Sequence, residues 1–375
     1  MASGEAGPPV SAASSDAGRF LVLDGMRGVA AFAVILDHVS SATLRAWFPG
    51  RYLAVDFFFV LSGFVLAHAY GQRLEQGALS AWSFMRIRLI RFYPLYLLGL
   101  GLGLLLPVVG ALRGWDDANP LSQISIIAAF SLFFMPAPPF YGWTGQHIFP
   151  FNGPSWTLFF ELVANFAYAL VARFLSWRVF AVVLPVAAVL VVSAVMSRDV
   201  TGPGWRWPDF DAGLVRVLYG FFAGVAIYKL RGVVRLPALP AWAAVLALVA
   251  IFAVPAPGLL RQGFDAFAAI LLFPLLVALA SGAKVSGRAA RLCGALGLLS
   301  YGVYALHVPV MMLVDLAQDV LGVSLPYGFL DVLLVAGVTA IVAALATHFY
   351  DAPFRRLLTG RAKRAPKPVA AGEAG

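Results

Sequence analysis

Long apolar runs alternate with short charged ones from about residue 20 to residue 350. A bilayer crossing takes roughly 20 predominantly apolar residues. Segments of that kind fall at about 20–40, 52–70, 92–112, 155–172, 179–196, 212–228, 240–255, 264–281, 293–314 and 328–349. An eleventh apolar piece, LSQISIIAAFSLFFM at 121–135, is short. The pattern predicts an all-α fold, a polytopic transmembrane bundle of about ten spans. Composition strengthens that reading. Of 375 residues, 61% are hydrophobic and 12% are charged, about half the charged share of a soluble domain. No soluble fold of this length buries so much apolar surface.

The net charge of +9 changes the picture only through its distribution. With 121–135 not crossing and the N-terminus cytoplasmic, 19 Lys and Arg fall on inner segments and 6 on outer ones, as the positive-inside rule requires. Counting 121–135 as a crossing would move Lys229, Arg231, Arg235 and the basic C-terminal stretch outside. The expectation is therefore ten crossings with both termini inside, and 121–135 re-entrant or lying along the outer face. Residues 1–18 lack the basic start and apolar core of a signal peptide and read as a disordered cytoplasmic tail. Residues 19–357 form the membrane domain, and 358–375 a basic, Pro-containing tail. The charge follows topology and gives no sign of a nucleic-acid partner. The single Cys293 reads as a packing residue.

Ionisable groups inside spans are costly and mark functional positions. Arg27 lies about 10 Å into the first span and His38 roughly 16 Å further on, close to three whole turns later, so both project to one side. Asp56 starts the second span, where Ser62 and Gly63 fall at mid-depth; Glu161 lies early in the 155–172 span and His307 in the outer half of 293–314. His38, Asp56, Glu161 and His307 are expected to form one outer layer. At the opposite face, RIRLIRFYPLY brings Arg86, Arg88 and Arg91 to the start of the third span, with Arg88 and Arg91 on one helix face. Pro309 removes a backbone donor and should loosen its helix around Tyr304–Ala305.

A phosphate-rich anionic donor from the cytosol would dock on these arginines, whose guanidinium forks suit phosphate. A hydroxyl arriving from outside would need a general base. His38 is the candidate, because imidazole titrates near neutral pH, with Glu161 or Asp56 to orient it. Trp156, Tyr301 and His307 would stand on the acceptor side with Asp56, although Trp156 at a span start also fits an interfacial aromatic belt. The sequence contains no nucleophile elbow, metal-ligand spacing, Walker or dinucleotide motif. Direct transfer without a metal, a resident cofactor or a covalent enzyme intermediate is the simplest chemistry. The competing reading is a proton-coupled transporter or flippase of a glycan or lipid-linked substrate. It is disfavoured because the chain shows no internal repeat and no second cationic cluster.

Six motifs in order resemble the acyltransferase 3 family of integral-membrane acyltransferases: LDGMRGVAAFAVILDH, VDFFFVLSGFVLA, RLIRFYPLY, PSWTLFFELVANFAY, LSYGVYALHVPV and FYDAPFRR. Thr157 stands where Ser is common, and Asp351 where Glu is common. The resemblance implies O-acylation of a glycan or glycosylated small molecule with acyl-CoA, most often acetyl-CoA, as co-substrate entering from the cytoplasm. It implies that Arg88 and Arg91 hold the coenzyme phosphates and that Arg27 lies nearer the thioester, with His38 as base and Glu161 as its partner. It also implies a multi-pass protein of the inner or plasma membrane, in the form without an appended hydrolase-like domain. His68 and His348 match no motif and read as packing residues.

Overall fold

The computed structural model describes residues 20–39, 41–116, 118–139, 146–198, 202–323 and 329–363. The proposed 1–18 tail lies outside these, as do residues 364–375. The architecture is all-α, and among the described residues the only β pairing is an isolated bridge between His147 and Arg206. The main helices are α1 (Leu21–His38), α2 (Ala54–Leu66, extended by a π turn and Gln72–Glu75), α3 (Ala81–Arg113), α4 (Leu121–Leu132), α5 (Ser155–Val171) and α6 (Trp177–Met196), with a six-residue helix, Ala42–Trp47, between the first two. They continue with α7 (Phe210–Arg231), α8 (Ala241–Ala253), α9 (Gly258–Phe267, carried through a π turn to Ala280), α10 (Gly287–Leu321) and α11 (Phe329–Leu345). A π segment, Ala346–Asp351, joins α11 to a final helix, α12 (Ala352–Lys363). The chain segment assigned to the basic tail is thus helical as far as residue 363.

Each of the ten predicted spans corresponds to a helix. Eight are long and apolar enough to cross a bilayer, making this a multi-pass membrane protein. The other two are α1, whose 18 residues include Asp24, Arg27 and Asp37, and the 13-residue α8. None of the α1 residues is exposed. It runs through the middle of the bundle against α10, and so tolerates charges that a lipid-facing helix could not. The third span begins at Ala81, not near 92, capped by the Ser80 hydroxyl, which accepts from the Ser83 amide at 3.2 Å. Its arginines therefore sit within the helix and take partners from neighbouring helices.

The 121–135 piece contains one short helix, α4. At 12 residues α4 spans about 18 Å, little more than half a hydrocarbon core. It turns back along α3, where the carbonyls of Ser131 and Leu132 accept from the hydroxyls of Tyr96 and Tyr93, each at 2.6 Å. Those tyrosines lie near the middle of α3. Further along, Ile148, Phe149, Phe151 and Asn152 are all buried although none is in a helix. Irregular backbone at this depth survives only when protein covers it. Here α3 provides a glycine groove, since a Cβ at Gly103 would lie 1.8 Å from the Phe151 carbonyl oxygen and one at Gly99 2.7 Å from Asn152 Nδ2.

Asn152 has a definite task. Pro309 lacks the N–H that would bond the Ala305 carbonyl, four residues earlier in α10. Asn152 Nδ2 donates to that carbonyl at 2.9 Å. The helix stays continuous through Tyr304–Ala305, and a side chain from the buried loop satisfies the carbonyl that Pro309 leaves without a donor.

Candidate active site

Five helices, α1, α2, α3, α5 and α10, converge on a cavity of about 230 Å³. Its polar lining includes Arg27, Ser62, Arg88, Arg91, Glu161 and Tyr301, and its apolar lining includes Phe58, Phe59 and Phe92. The three arginines expected to bind the donor thus share one site, although α1 carries one and α3 the other two. Each has a carboxylate. Arg27 pairs with Asp24 at 3.0 Å and donates to Ser300 Oγ at 2.9 Å and to the Gly297 carbonyl at 2.7 Å. Arg88 pairs with Glu161 at 3.0 Å and lies over the Phe92 ring. Arg91 lies over the Tyr301 ring and is 3.9 Å from Asp351, which also binds Arg355. Phosphate, an oxyanion like a carboxylate, is the ligand class that three converging guanidinium forks suit best.

The expected outer layer of four titratable groups separates into three units. Glu161 does not face His38. It accepts from Ser62 Oγ at 2.5 Å and from Arg88 Nη2 at 3.0 Å, inside the cavity. The physical reason is charge: a carboxylate in a membrane interior takes the nearest cation, and α3 supplies one. Asp56 is also committed elsewhere. It receives two hydrogen bonds from Arg216, at 3.0 and 2.7 Å, in a fully buried pair. This pair borders a second cavity of about 270 Å³ with Tyr52, Arg261, Gln262 and Asp265. Trp156 packs beside Arg216, its ring 5.8 Å from the guanidinium, and is buried against Phe59 and Phe160. Neither Asp56 nor Trp156 lines the arginine cavity.

His38 and His307 come together as the third unit. Their ring centroids are 4.8 Å apart, and His307 Nε2 lies 3.3 Å from His38 Nδ1. His38 Nδ1 is also 3.0 Å from the Val34 carbonyl, and His307 Nδ1 is 2.8 Å from the Tyr304 carbonyl. His307 is 1% exposed and packs against His38, while His38 is only partly buried. Tyr301 is also turned inward, lining the arginine cavity and donating to the Phe92 carbonyl at 2.5 Å. The end of α1 that presents His38 is held by two arginines that sequence reasoning assigned only to topology. Arg45 donates to the Val39 and Asp37 carbonyls, and Arg51 donates to the Leu36 carbonyl and pairs with Asp37. Cations at a helix C-terminus satisfy its orphan carbonyls and its dipole.

Tyr304 connects the two halves. It lines the arginine cavity, its ring is 5.9 Å from that of His307 and 5.5 Å from that of Phe58, and its hydroxyl meets Thr157 Oγ1 at 2.5 Å. His38 itself is not part of the cavity wall; Tyr304 and Phe58 close the cavity on that side. Sequence reasoning also missed Ser62 and Ser300 as polar partners in the cavity. Ser62 was legible only as a small mid-membrane residue, and Ser300 stood in a quoted motif without a task.

A family model described as an acyltransferase domain matches residues 20–349. Among curated proteins, Protein 2 in picA locus of Rhizobium radiobacter is 39% identical over 190 residues, covering 48% of this chain and 92% of that protein. Exopolysaccharide production protein ExoZ of Rhizobium meliloti (strain 1021) is 30% identical over 335 residues, covering 86% of this chain and 93% of the relative. No solved structure matches the chain.

Proposed function

The chain belongs to the acyltransferase 3 family and is a membrane O-acyltransferase, and from that premise we propose that it transfers an acyl group, acetyl in the simplest case, from cytosolic acyl-CoA to a glycan hydroxyl beyond the inner or plasma membrane. Family membership decides against the transporter reading. A polysaccharide acceptor is the natural candidate, because a relative of nearly the same length is named for exopolysaccharide production.

Arg88, Arg91 and Arg27 hold the coenzyme, with the thioester directed toward Tyr304. The acceptor hydroxyl comes to His38 from the far end of α1. His38 takes the hydroxyl proton as the oxygen attacks the thioester carbonyl; the carbon–sulfur bond breaks, and the thiolate leaves to be reprotonated. The products are the ester and free coenzyme A. Tyr304 and Phe58, which close the cavity toward the histidines, turn aside in the reactive complex. Glu161 sets the position of Arg88 and Ser62 in this scheme, and is not the partner of the base.

The observation that carries the reading is the convergence of the three arginines on one cavity whose wall, at Tyr304, touches the histidine pair. The test is free-thiol release from acetyl-CoA by the purified protein in nanodiscs, with host glycan as acceptor. Wild-type protein should consume thioester, and His38→Ala should insert normally and consume none. Wild-type rates in His38→Ala would remove the histidine from the chemistry.

A further inference from the structure

The histidine pair fixes its own protonation pattern. A backbone carbonyl only accepts hydrogen bonds, so the nitrogen facing it carries the hydrogen. His307 Nδ1 faces the Tyr304 carbonyl at 2.8 Å and therefore carries the hydrogen, leaving His307 Nε2 as a bare acceptor. That acceptor lies 3.3 Å from His38 Nδ1, which also faces the Val34 carbonyl at 3.0 Å. Both neighbours require hydrogen on His38 Nδ1. The remaining nitrogen of the less buried ring, His38 Nε2, then holds a free lone pair.

We infer that His307 is a positioning residue that locks His38 in the Nδ1–H tautomer and orientation, with Nε2 presented as the base. The inference rests on the base reading above. A flip of the His38 ring would set Cδ2–H against His307 Nε2 and lose the contact, so His307 selects one of two ring orientations that Val34 alone does not fix so firmly. When His38 takes a proton, the Nδ1–H bond to His307 becomes charge-assisted and strengthens. A neutral acceptor does this without placing another anion in the membrane. The alternative orienting groups are engaged: Glu161 with Arg88, Asp56 with Arg216, and Asp37, next to His38, with Arg51. His307 is not itself the base, because it is buried and both its nitrogens are occupied.

The experiment compares His307→Phe, His307→Gln and His38→Ala with wild type in the thiol-release assay, alongside solid-state 15N spectra of histidine-labelled protein in lipid. Phe keeps a ring without an acceptor; Gln places an amide oxygen near the former Nε2. His307→Phe should lower kcat by about 100-fold or more, as loss of the correct tautomer does in other histidine catalysts, with KM for acyl-CoA within about twofold. His307→Gln should recover kcat to within about tenfold of wild type. The His38 resonance, identified by its loss in His38→Ala, should report an Nδ1–H ring in wild type and a tautomer mixture in His307→Phe. Full kcat in His307→Phe, with His38→Ala inactive, would overturn the positioning role alone. A Gln variant as inactive as Phe, or an unchanged His38 tautomer in His307→Phe, would overturn it as well. Full activity in His38→Ala would instead remove the base reading.

Discussion

Asp56→Ala removes the carboxylate that neutralises the buried Arg216. The two side chains are 5% and 3% exposed, and two hydrogen bonds join them. Losing one partner of a buried ion pair costs about 3–5 kcal/mol. The lower end applies here, because Arg216 keeps its bond to the Pro203 carbonyl and the face of Trp156, and a partly desolvated cation–π contact is worth about 0.5–2 kcal/mol. The expected loss is therefore about 3 kcal/mol. Asp56→Leu/Arg216→Met removes both charges and fills the space with apolar groups, leaving only the Pro203 carbonyl without its donor, at about 1–3 kcal/mol. The double variant should thus be no less stable than the single one, against simple additivity. Equilibrium unfolding in mixed detergent micelles measures both. A loss under about 1 kcal/mol for Asp56→Ala, or a double variant as poor as the summed singles, would refute the argument. Thiol release decides what else Asp56 does. Activity retained in a stable double variant makes the pair structural, whereas a stable but inactive double variant returns Asp56 to the acceptor side.

Arg91→Ala should raise the KM for acyl-CoA by about tenfold or more, the value of one charge-assisted hydrogen bond, with kcat little changed, since Asp351 keeps Arg355; an unchanged KM in steady-state assays would leave Arg91 only a topological role. Arg88→Ala should raise KM and also destabilise the protein, because Glu161 keeps only Ser62, and Arg88→Met/Glu161→Gln should recover the stability but not the KM. Gly63→Ala should cost about 1–3 kcal/mol or more, since the new Cβ would lie 1.9 Å from the Phe221 carbonyl oxygen, whereas Gly101→Ala, with nothing within 4 Å, should be neutral or stabilising by melting in detergent. Asn152→Ala should cost about 1–3 kcal/mol by orphaning the Ala305 carbonyl, and Pro309→Ala should erase most of that loss by restoring the helical N–H, as a double-mutant cycle would read.

How much of this was legible follows the range of each interaction along the chain. The spans were readable because bilayer thickness and helical rise together fix the length of an apolar run. The unpaired carbonyl of α10 was readable because Pro309 acts on a carbonyl four residues away. The early start of α3 was not, because Arg86, Arg88 and Arg91 look like flanking charges until Glu161 and Asp351 are seen beside them. Depth alone placed Glu161 near His38 and Asp56. It gave no azimuth, and rotation about the α5 axis decides which neighbour a carboxylate meets. Asn152 had no readable task, since its loop enters the bundle through glycines of α3. His307 was assigned to the same layer as His38, but their direct contact was not legible, because it spans 269 positions.

The arginine cavity must be stable before a donor arrives and yet yield its cations to one, and its carboxylates grade that compromise. Three unpaired guanidinium groups facing one another would repel strongly at low dielectric. Asp24, Glu161 and Asp351 each neutralise one of them, so on the proposed function a phosphate would bind by exchange with a carboxylate. The exchange is unequal along the cavity. Arg88 is held at 3.0 Å with a side chain 12% exposed, and Arg27 at 3.0 Å with 31%, whereas Arg91 is 3.9 Å from its carboxylate and 35% exposed. Asp351 can release Arg91 at little cost because Arg355 remains bonded to it. Arg91 is therefore the first cation free to meet an incoming anion, Arg27 the next, and Arg88 the one whose removal disturbs the protein most. On the proposed function the coenzyme would meet Arg91 first, since the cation cheapest to free is also the one most open to solvent.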